Sequence, residues 1–492
     1  MPAQQQVIVV GGGNAALCAA LSAAEHGARV TLFERAPEAA SGGNSRFTAG
    51  AMRTVYNGVE DLRRLMPDLS EAEIARSDFG AYSTEQFYDD LGRVTNYRSD
   101  PELAEALIER SFDTLCWMRE QGVRFLPLYG RQSYEVDGKV RFWGGLTVEA
   151  WGGGPGLVES LTRIAIDQGI NIRYGTRVTS LLTERGRVCG VKTSSREGDD
   201  EFHADAVILA CGGFESSATW RTRYLGPGWD LAKVRGTRFN TGDGIEMAMA
   251  IGAAPRGHWS GCHAVAWDLN APEYGDLEVG DNFQKHSYPL GIVVNNSGER
   301  FLDEGADFRN FTYARYGAEI LKQPAQSAWQ IFDGRVQDML RDEYRIRQVT
   351  RVEASSIAEL AAKMAEVDSA GLERTVAEFN AAVMTEIPFD PTVKDGRGTR
   401  GLPINKSNWA NPLLEPPFTA YGVTCGITFT FGGLHVDAQA RVIDQEGLPI
   451  EGLFAAGELV GGLFYFNYPG GSGLTSGAVF GRIAGKGSAR GG

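Results

Sequence analysis

The chain opens on alternating strand-like and helix-like hydrophobic patterns. "QVIVV" (Gln6–Val10) is a β-branched run, the signature of a strand buried on both faces of a parallel sheet. "GGG" follows, then the alanine-rich "NAALCAALSAAEHG", a helix closed by Gly27. "ARVTLFE" is the next strand, which completes one βαβ unit. Further on, "PGLVESLTRIAIDQG" predicts a helix, and "VTSLLTERGRVCGVKTSS" predicts a hairpin turning at "ERGR". "ADAVILACGG" is another buried strand ending in small residues.

Between about Gly257 and Tyr421 this alternation weakens, and Trp, Tyr, Asn and Arg become common. "SIAELAAKMAEVDSAGLERTVAEFNAAV" predicts two helices joined near Ser369–Gly371, and the Pro- and Gly-rich stretch after it reads as an ordered loop region. From "GLHVDAQARVIDQEGLPIEGLFAAGE" short strands and turns return, and "AVFGRIAG" is the body of a last helix. The order predicts an α/β fold in two domains. Residues 1–256 and 427–492 form a Rossmann-like nucleotide-binding domain, and residues 257–426 an inserted α+β domain.

Composition narrows the function. A length of 492 residues exceeds a single core, while 43% hydrophobic and 22% charged residues are ordinary for a globular protein. A net charge of −14 argues against binding nucleic acid or an anionic membrane, though local arginines can still meet an anionic substrate. The six cysteines are scattered with no C-x-x-C, which speaks against zinc, an Fe–S cluster or covalent haem on this chain and fits a reducing compartment. No 18-residue apolar run is present, so a cytoplasmic protein without direct membrane insertion is expected.

The first chemical motif is Gly11-Gly12-Gly13-Asn14-Ala15-Ala16, a G-x-G-x-x-A between strand and helix. Gly11 permits the turn, Gly13 lets backbone approach a pyrophosphate, and Ala16 packs helix on strand. Glu34 ends the second strand 23 residues later, placed to accept hydrogen bonds from a ribose. "SGGNSRFTAG" and "GLFAAGELVGG" add two more glycine clusters and resemble loops with which flavoproteins hold FAD. With one dinucleotide fingerprint and no second site for NAD(P)H, the expected cofactor is FAD.

"GGNSRFTAG", "TGDGIEMAMAIGA", "GIVVNNSGERFLDE", "GGLHVD" and "GLFAAGE" together resemble the flavoprotein family of fumarate reductase and succinate dehydrogenase. The resemblance implies a glutathione-reductase-type FAD domain with a capping domain inserted. It also implies a cofactor wall of Gly11, Gly13, Asn14, Ala15, Glu34, Arg35, Gly43, Asn44, Ser45, Thr48, Gly50, Val178, Cys211, Gly212, Asp243, Gly457, Glu458, Gly473 and Leu474. Arg46 stands where membrane succinate dehydrogenases carry the histidine that bonds FAD, so noncovalent FAD is implied.

Departures from the family bear on the substrate. Phe429 stands in place of the histidine before T-x-G-G, and Tyr468 in place of the late arginine. The region of the proton-donating arginine offers Lys285, His286 and Tyr288 instead, and His263 matches the cap histidine. These changes speak against a fumarate reductase. Tyr468 is similar to the late tyrosine of 3-ketosteroid dehydrogenases. "VIVVGGGNAALCAAL", "DEGADFRNFTYARYG" and "FNYPGGSGLTSG" resemble tricarballylate dehydrogenase more closely.

The reaction implied is α,β-dehydrogenation beside a carbonyl or carboxylate, of the tricarballylate to cis-aconitate type, with a ketone-activated bond or an electron-transfer subunit as alternatives. Tyr468 is expected to orient a substrate oxygen, with His263, His286 and Tyr288 as unranked candidate bases. Arg309 and Arg315 are expected to clamp carboxylate, with Arg53 and Arg141 as weaker candidates. Gly50, Tyr465, Gly471 and Ser472 complete the expected substrate wall. Lacking its own metal or haem relay, such a chain needs a separate electron-transfer partner or acceptor.

Overall fold

A computed structural model describes residues 4–364 and 366–490. Five parallel strands lie in the order Pro449–Ala455, Ala206–Leu209, Gln6–Val10, Arg29–Phe33 and Asn171–Arg173, with Arg441–Ile443 antiparallel at one edge. The register sets Val9 beside both Leu32 and Ile208, and Leu209 beside Ala455. Both faces of the central strand are therefore covered, which is why "VIVV" carries no polar alternation. Residues from the two ends of the chain build this one sheet.

Two helices, Asn14–Glu25 and Ser472–Ser488, pack closely on it. Gly477, Gly481 and Gly485 are spaced by four and form one stripe of the later helix. A Cβ at Gly481 would stand 2.5 Å from the Ala15 carbonyl oxygen, and one at Gly485 2.3 Å from that of Ala19. The stripe draws the two helices together, so their N-termini emerge side by side.

The second sheet centres on the long strand Phe418–Leu434, paired with Pro255–Asp268, Ser327–Phe332, Arg351–Ala354 and Lys233–Val234. The expected partition at 256/257 and 426/427 falls inside two of these strands, Pro255–Asp268 and Phe418–Leu434. A three-stranded antiparallel sheet, Arg177–Glu184, Arg187–Ser195 and Gly198–His203, adds a third strand to the predicted hairpin. The two helices expected around Ser369–Gly371 are Ile357–Lys363 and Ser369–Ala382. Asp368 caps the second, so Ser369–Gly371 opens a helix instead of joining two. Ala365, in that predicted segment, lies outside the described residues. Among the described residues no helix is long and apolar enough to cross a membrane.

Candidate active site

Two adjoining hollows, about 870 and 1240 Å³ of open space, share Asn14, Ala15, Asn44, Ser45, Gly457 and Glu458 on their walls. Together they make one elongated cleft along the N-termini of Asn14–Glu25 and Ser472–Ser488. Gly13 and Gly471 cap those helices without a side-chain hydrogen bond, so backbone N–H groups remain to meet a ligand. The cleft needs its glycines. A Cβ at Gly12 would stand 2.5 Å from Glu34 Oε2, and Gly43 holds a φ of +55° that side chains rarely adopt.

The expected cofactor residues line this cleft, with one exception. Gly11, Gly13, Asn14, Ala15, Glu34, Arg35, Gly43, Asn44, Ser45, Val178, Cys211, Gly212, Asp243, Gly457 and Glu458 border the first hollow. Thr48, Gly473 and Leu474 border the second. Gly50 borders neither; its φ of +71° lets it pack on Gly153, so it is a turn residue.

Hydrogen bonds tie the walls together. Asn14 Nδ2 donates to the Leu474 carbonyl at 2.8 Å, and the Asn14 N–H to Ser45 Oγ at 3.0 Å. Arg35 Nη1 and Arg177 Nε both reach Asp243 Oδ2, at 3.0 and 2.8 Å. Burial pushes the Glu34 carboxyl up from its ordinary range, opposed by the Ala36 N–H that donates to Oε1 at 2.7 Å. An elongated cleft, two glycine-capped helix N-termini and a buried acid fit FAD.

The far end of the cleft is a chamber of aromatic and basic residues. Helix Tyr313–Leu321 lies so tightly on strand Pro255–Asp268 that a Cβ at Gly317 would stand 2.5 Å from the Ala264 carbonyl carbon. Register shifts on both sides of Cys262–His263 bulge that strand. Tyr313 and His263 thereby meet with ring centroids 4.9 Å apart, and Tyr468 lies 4.8 Å from His263. The Tyr313 and Tyr468 hydroxyls hydrogen-bond each other directly, beside Phe429 and Phe464. Burial pushes both phenols up, Tyr468 well above its ordinary value.

Three arginines border the same chamber. Arg131 Nη1 pairs with Asp281 Oδ2 at 2.7 Å, and Arg235 Nε donates to Asp281 Oδ1 at 2.9 Å. Arg309 has no carboxylate within 4 Å among the described residues; Nη2 donates to the Arg131 carbonyl at 2.8 Å, and Nε has no partner. Arg309 Nη1 lies 3.2 Å from His286 Nδ1. Since arginine only donates, Nδ1 is the acceptor and the neutral ring carries its proton on Nε2. Burial and the neighbouring Arg309 hold His286 well below its ordinary pKa, and burial does the same to His263, so both are neutral at pH 7.

Several candidates lie elsewhere. Tyr288 is buried off the cavity, its hydroxyl 2.6 Å from Thr312 Oγ1, so it is not a base. Arg315 is exposed on the outer face of the helix whose inner face carries Tyr313. Tyr465 stacks on His258 at 6.0 Å, and Ser472 Oγ bonds the Pro469 carbonyl; neither borders the chamber, whereas Gly471 does. Arg53 is fully buried and anchors the glycine loop through the Gly470 carbonyl at 2.8 Å. Arg141 pairs with exposed Asp137 at 3.6 Å, and Lys285 is buried against Asp268 at 3.4 Å. Tyr313, Arg131, Arg235 and Asp281 are site residues that sequence reasoning missed. Only Tyr313 had a usable signal: it starts the inward face Tyr313, Ala314, Tyr316, Gly317, Ile320 of an amphipathic helix.

The family model described as FAD binding domain matches residues 6–474. The fumarate reductase (cytochrome) of Shewanella frigidimarina is 29% identical over 488 residues, covering 98% of this chain and 77% of that protein. The 4-oxocyclohexanecarboxylate 2-dehydrogenase of Sinomonas cyclohexanicum is 29% identical over 553 residues, covering 98% and 92%. Among solved structures, the open conformation of a flavocytochrome c3 fumarate reductase superposes with a TM-score of 0.73 at 27% identity, covering 100% of this chain and 79% of that one. The chain belongs to the FAD binding domain family, in the company of fumarate reductases and related dehydrogenases, and is an FAD-dependent oxidoreductase acting on CH–CH groups.

Proposed function

We propose that this chain dehydrogenates the α,β carbon–carbon bond of a small acid in which a carbonyl activates one end and a carboxylate anchors the other. The observation that carries this is one chamber lined both by the hydrogen-bonded Tyr313–Tyr468 pair and by Arg309, which has no carboxylate within 4 Å among the described residues. FAD, held by the cleft described above, would supply the hydride acceptor. The two protonated phenols hold two protons; one bridges their oxygens, and the other is free for the substrate carbonyl oxygen. As the α proton leaves, negative charge grows on that oxygen, where a fixed donor is worth most.

His263 is the base in this scheme, because it is neutral and both its ring nitrogens lack partners among the described residues. Arg309 and the Nε2–H of His286 hold the carboxylate, with charge matching charge. Phe429 and Phe464 exclude water from the reacting bond. The substrate named for the Sinomonas relative carries both a ketone and a carboxylate, which supports this pairing. Reducing equivalents then pass to a separate acceptor.

A polycarboxylate of the tricarballylate type is the second reading, favoured by three arginines on one chamber, of which Asp281 pairs with Arg131 and Arg235 and leaves Arg309 without a carboxylate. Anaerobic mixing of the holoenzyme with 4-oxocyclohexanecarboxylate, tricarballylate and a 3-ketosteroid separates the possibilities through flavin bleaching at about 450 nm. Bleaching by the oxo acid is the expected result. Bleaching by tricarballylate alone replaces the ketone with a carboxylate at Tyr468. Bleaching by the steroid alone removes the anion requirement, and a flavin that none of them reduces overturns the dehydrogenase assignment in favour of an electron-transfer subunit.

A further inference from the structure

The three arginines of the chamber are not equally free. Asp281 sits on the turn Gly280–Phe283, is only 6% exposed, and borders the chamber beside them. Arg131 Nη1 and Gln284 Nε2 each donate to its Oδ2 at 2.7 Å. Arg235 donates to Oδ1 through Nε, at 2.9 Å, and through Nη2. Four donors fill the acceptor capacity of one carboxylate, so Asp281 is held from every side.

Further contacts fix the two guanidinia. Arg131 Nη2 donates to Asn282 Oδ1 at 3.1 Å, and Arg235 Nη1 to Thr428 Oγ1 at 3.3 Å. Every nitrogen of Arg235 thus has a partner within the protein. Arg309 differs: it has no carboxylate within 4 Å among the described residues, and its buried Nε has no partner. A substrate carboxylate approaching Arg131 or Arg235 meets the charge of Asp281 at close range, where burial leaves repulsion little screened. One approaching Arg309 finds an unmet donor instead. The wall attracts anions as a whole, but Asp281 limits how many it can grip.

We propose that Asp281 is a specificity-determining residue: it masks Arg131 and Arg235, so the chamber grips one substrate carboxylate at Arg309 and selects against acids with two or three. The inference rests on the reading above in taking Arg309 as the anchor of an acid. It deepens that reading by naming what turns a polycarboxylate away.

The test is titration of the oxidised holoenzyme, followed through the flavin difference spectrum and requiring no turnover. The probes are cyclohexane-1,2-dicarboxylate and its monomethyl ester, which keeps the ring and lacks one charge. The parent should bind the ester at least as tightly as the diacid. Asp281→Asn keeps the size of the mask without its charge, and should shift the preference about tenfold toward the diacid, the order of effect of one contact to a charged group. A parent that prefers the diacid, or that binds neither probe, overturns the mask even if Asp281→Asn fails to fold. So does a folded Asp281→Asn with the parent's preference. A parent bleached by the oxo acid that nevertheless prefers the diacid keeps the proposed reaction and loses the mask. One that prefers the ester but is bleached by no acid keeps the mask and loses the reaction.

Discussion

Replacing Gly481 by alanine tests whether the glycine stripe sets the cofactor cleft. Two terms oppose each other. Alanine is favoured over glycine in a helix interior by about 1 kcal/mol. Against this, the new methyl would sit 2.5 Å from the Ala15 carbonyl oxygen, 3.1 Å from Cys18 Cβ and 3.2 Å from the Ala19 nitrogen. Two of those three neighbours are backbone, so the helices must part by about 0.9 Å to restore an ordinary contact of 3.4 Å. Overpacking of that kind costs about 1–3 kcal/mol, so the net loss is about 0–2 kcal/mol. The separation also moves Asn14 from Leu474, and with it both helix ends that face the cleft. Gly130→Ala is the control, because a Cβ there meets nothing within 4 Å. Thermal unfolding and retained flavin after gel filtration are the assays. Gly481→Ala should melt at or below the parent and lose FAD on dilution, while Gly130→Ala does neither. A Gly481→Ala protein that gains stability and keeps its flavin as tightly as the parent would refute close helix packing as the determinant of the cleft.

Three further outcomes are expected. Tyr468→Phe should slow flavin reduction by the oxo acid on the order of a hundredfold, the usual loss for one donor to a developing oxyanion, with the FAD content unchanged; an unchanged rate removes Tyr468 from the chemistry. Arg309→Met should raise the KM for the acid tenfold or more, while a neutral ketone analogue, read in the same stopped-flow assay, is affected little; a loss of about 1.5–3 kcal/mol is typical of a hydrogen bond to a charged group. Burial pushes the Glu149 carboxyl up to about 7 despite Arg131, so the folded state holds a proton that the unfolded chain releases. Stability from this group is therefore full at low pH and declines as pH rises from the ordinary 4.5 through about 7. Glu149→Gln should melt above the parent at pH 8 and with it at pH 4, and the reverse order at pH 8 would contradict the assignment.

Local patterns carried the nucleotide-binding half. "QVIVV", the glycine turn and Glu34 are contiguous, and their periodicities are set by the backbone itself, so both the βαβ unit and most of the cofactor wall were legible. The long strand Phe418–Leu434 was not. Its glycines look like turns, yet a Cβ at Gly422, Gly426 or Gly432 would fall within 2.7 Å of Leu269, Trp267 or Trp259. They are clearances for large neighbours, which no local window reveals. The substrate chamber was half legible for the same reason. His263, Arg309 and Tyr468 stood in quotable motifs, whereas Arg131, Arg235 and Asp281 gain meaning only from one another, across 150 residues between Arg131 and its partner. Arg315 was misplaced by counting cations instead of helical faces: two residues beyond Tyr313, it points away from what Tyr313 touches.

The bond between Asn14 and the Leu474 carbonyl has a consequence for how the protein folds, because it joins residues 460 positions apart. One half of the cofactor cradle is a local glycine turn, and the other, residues 471–474, reaches it only when the long-range fold is complete. A chain in which only the local βαβ unit has formed exposes half a cradle beside a parallel sheet still missing the strand Pro449–Ala455. Tight flavin binding should therefore report global folding, and a flavin bound there would stitch two distant segments together.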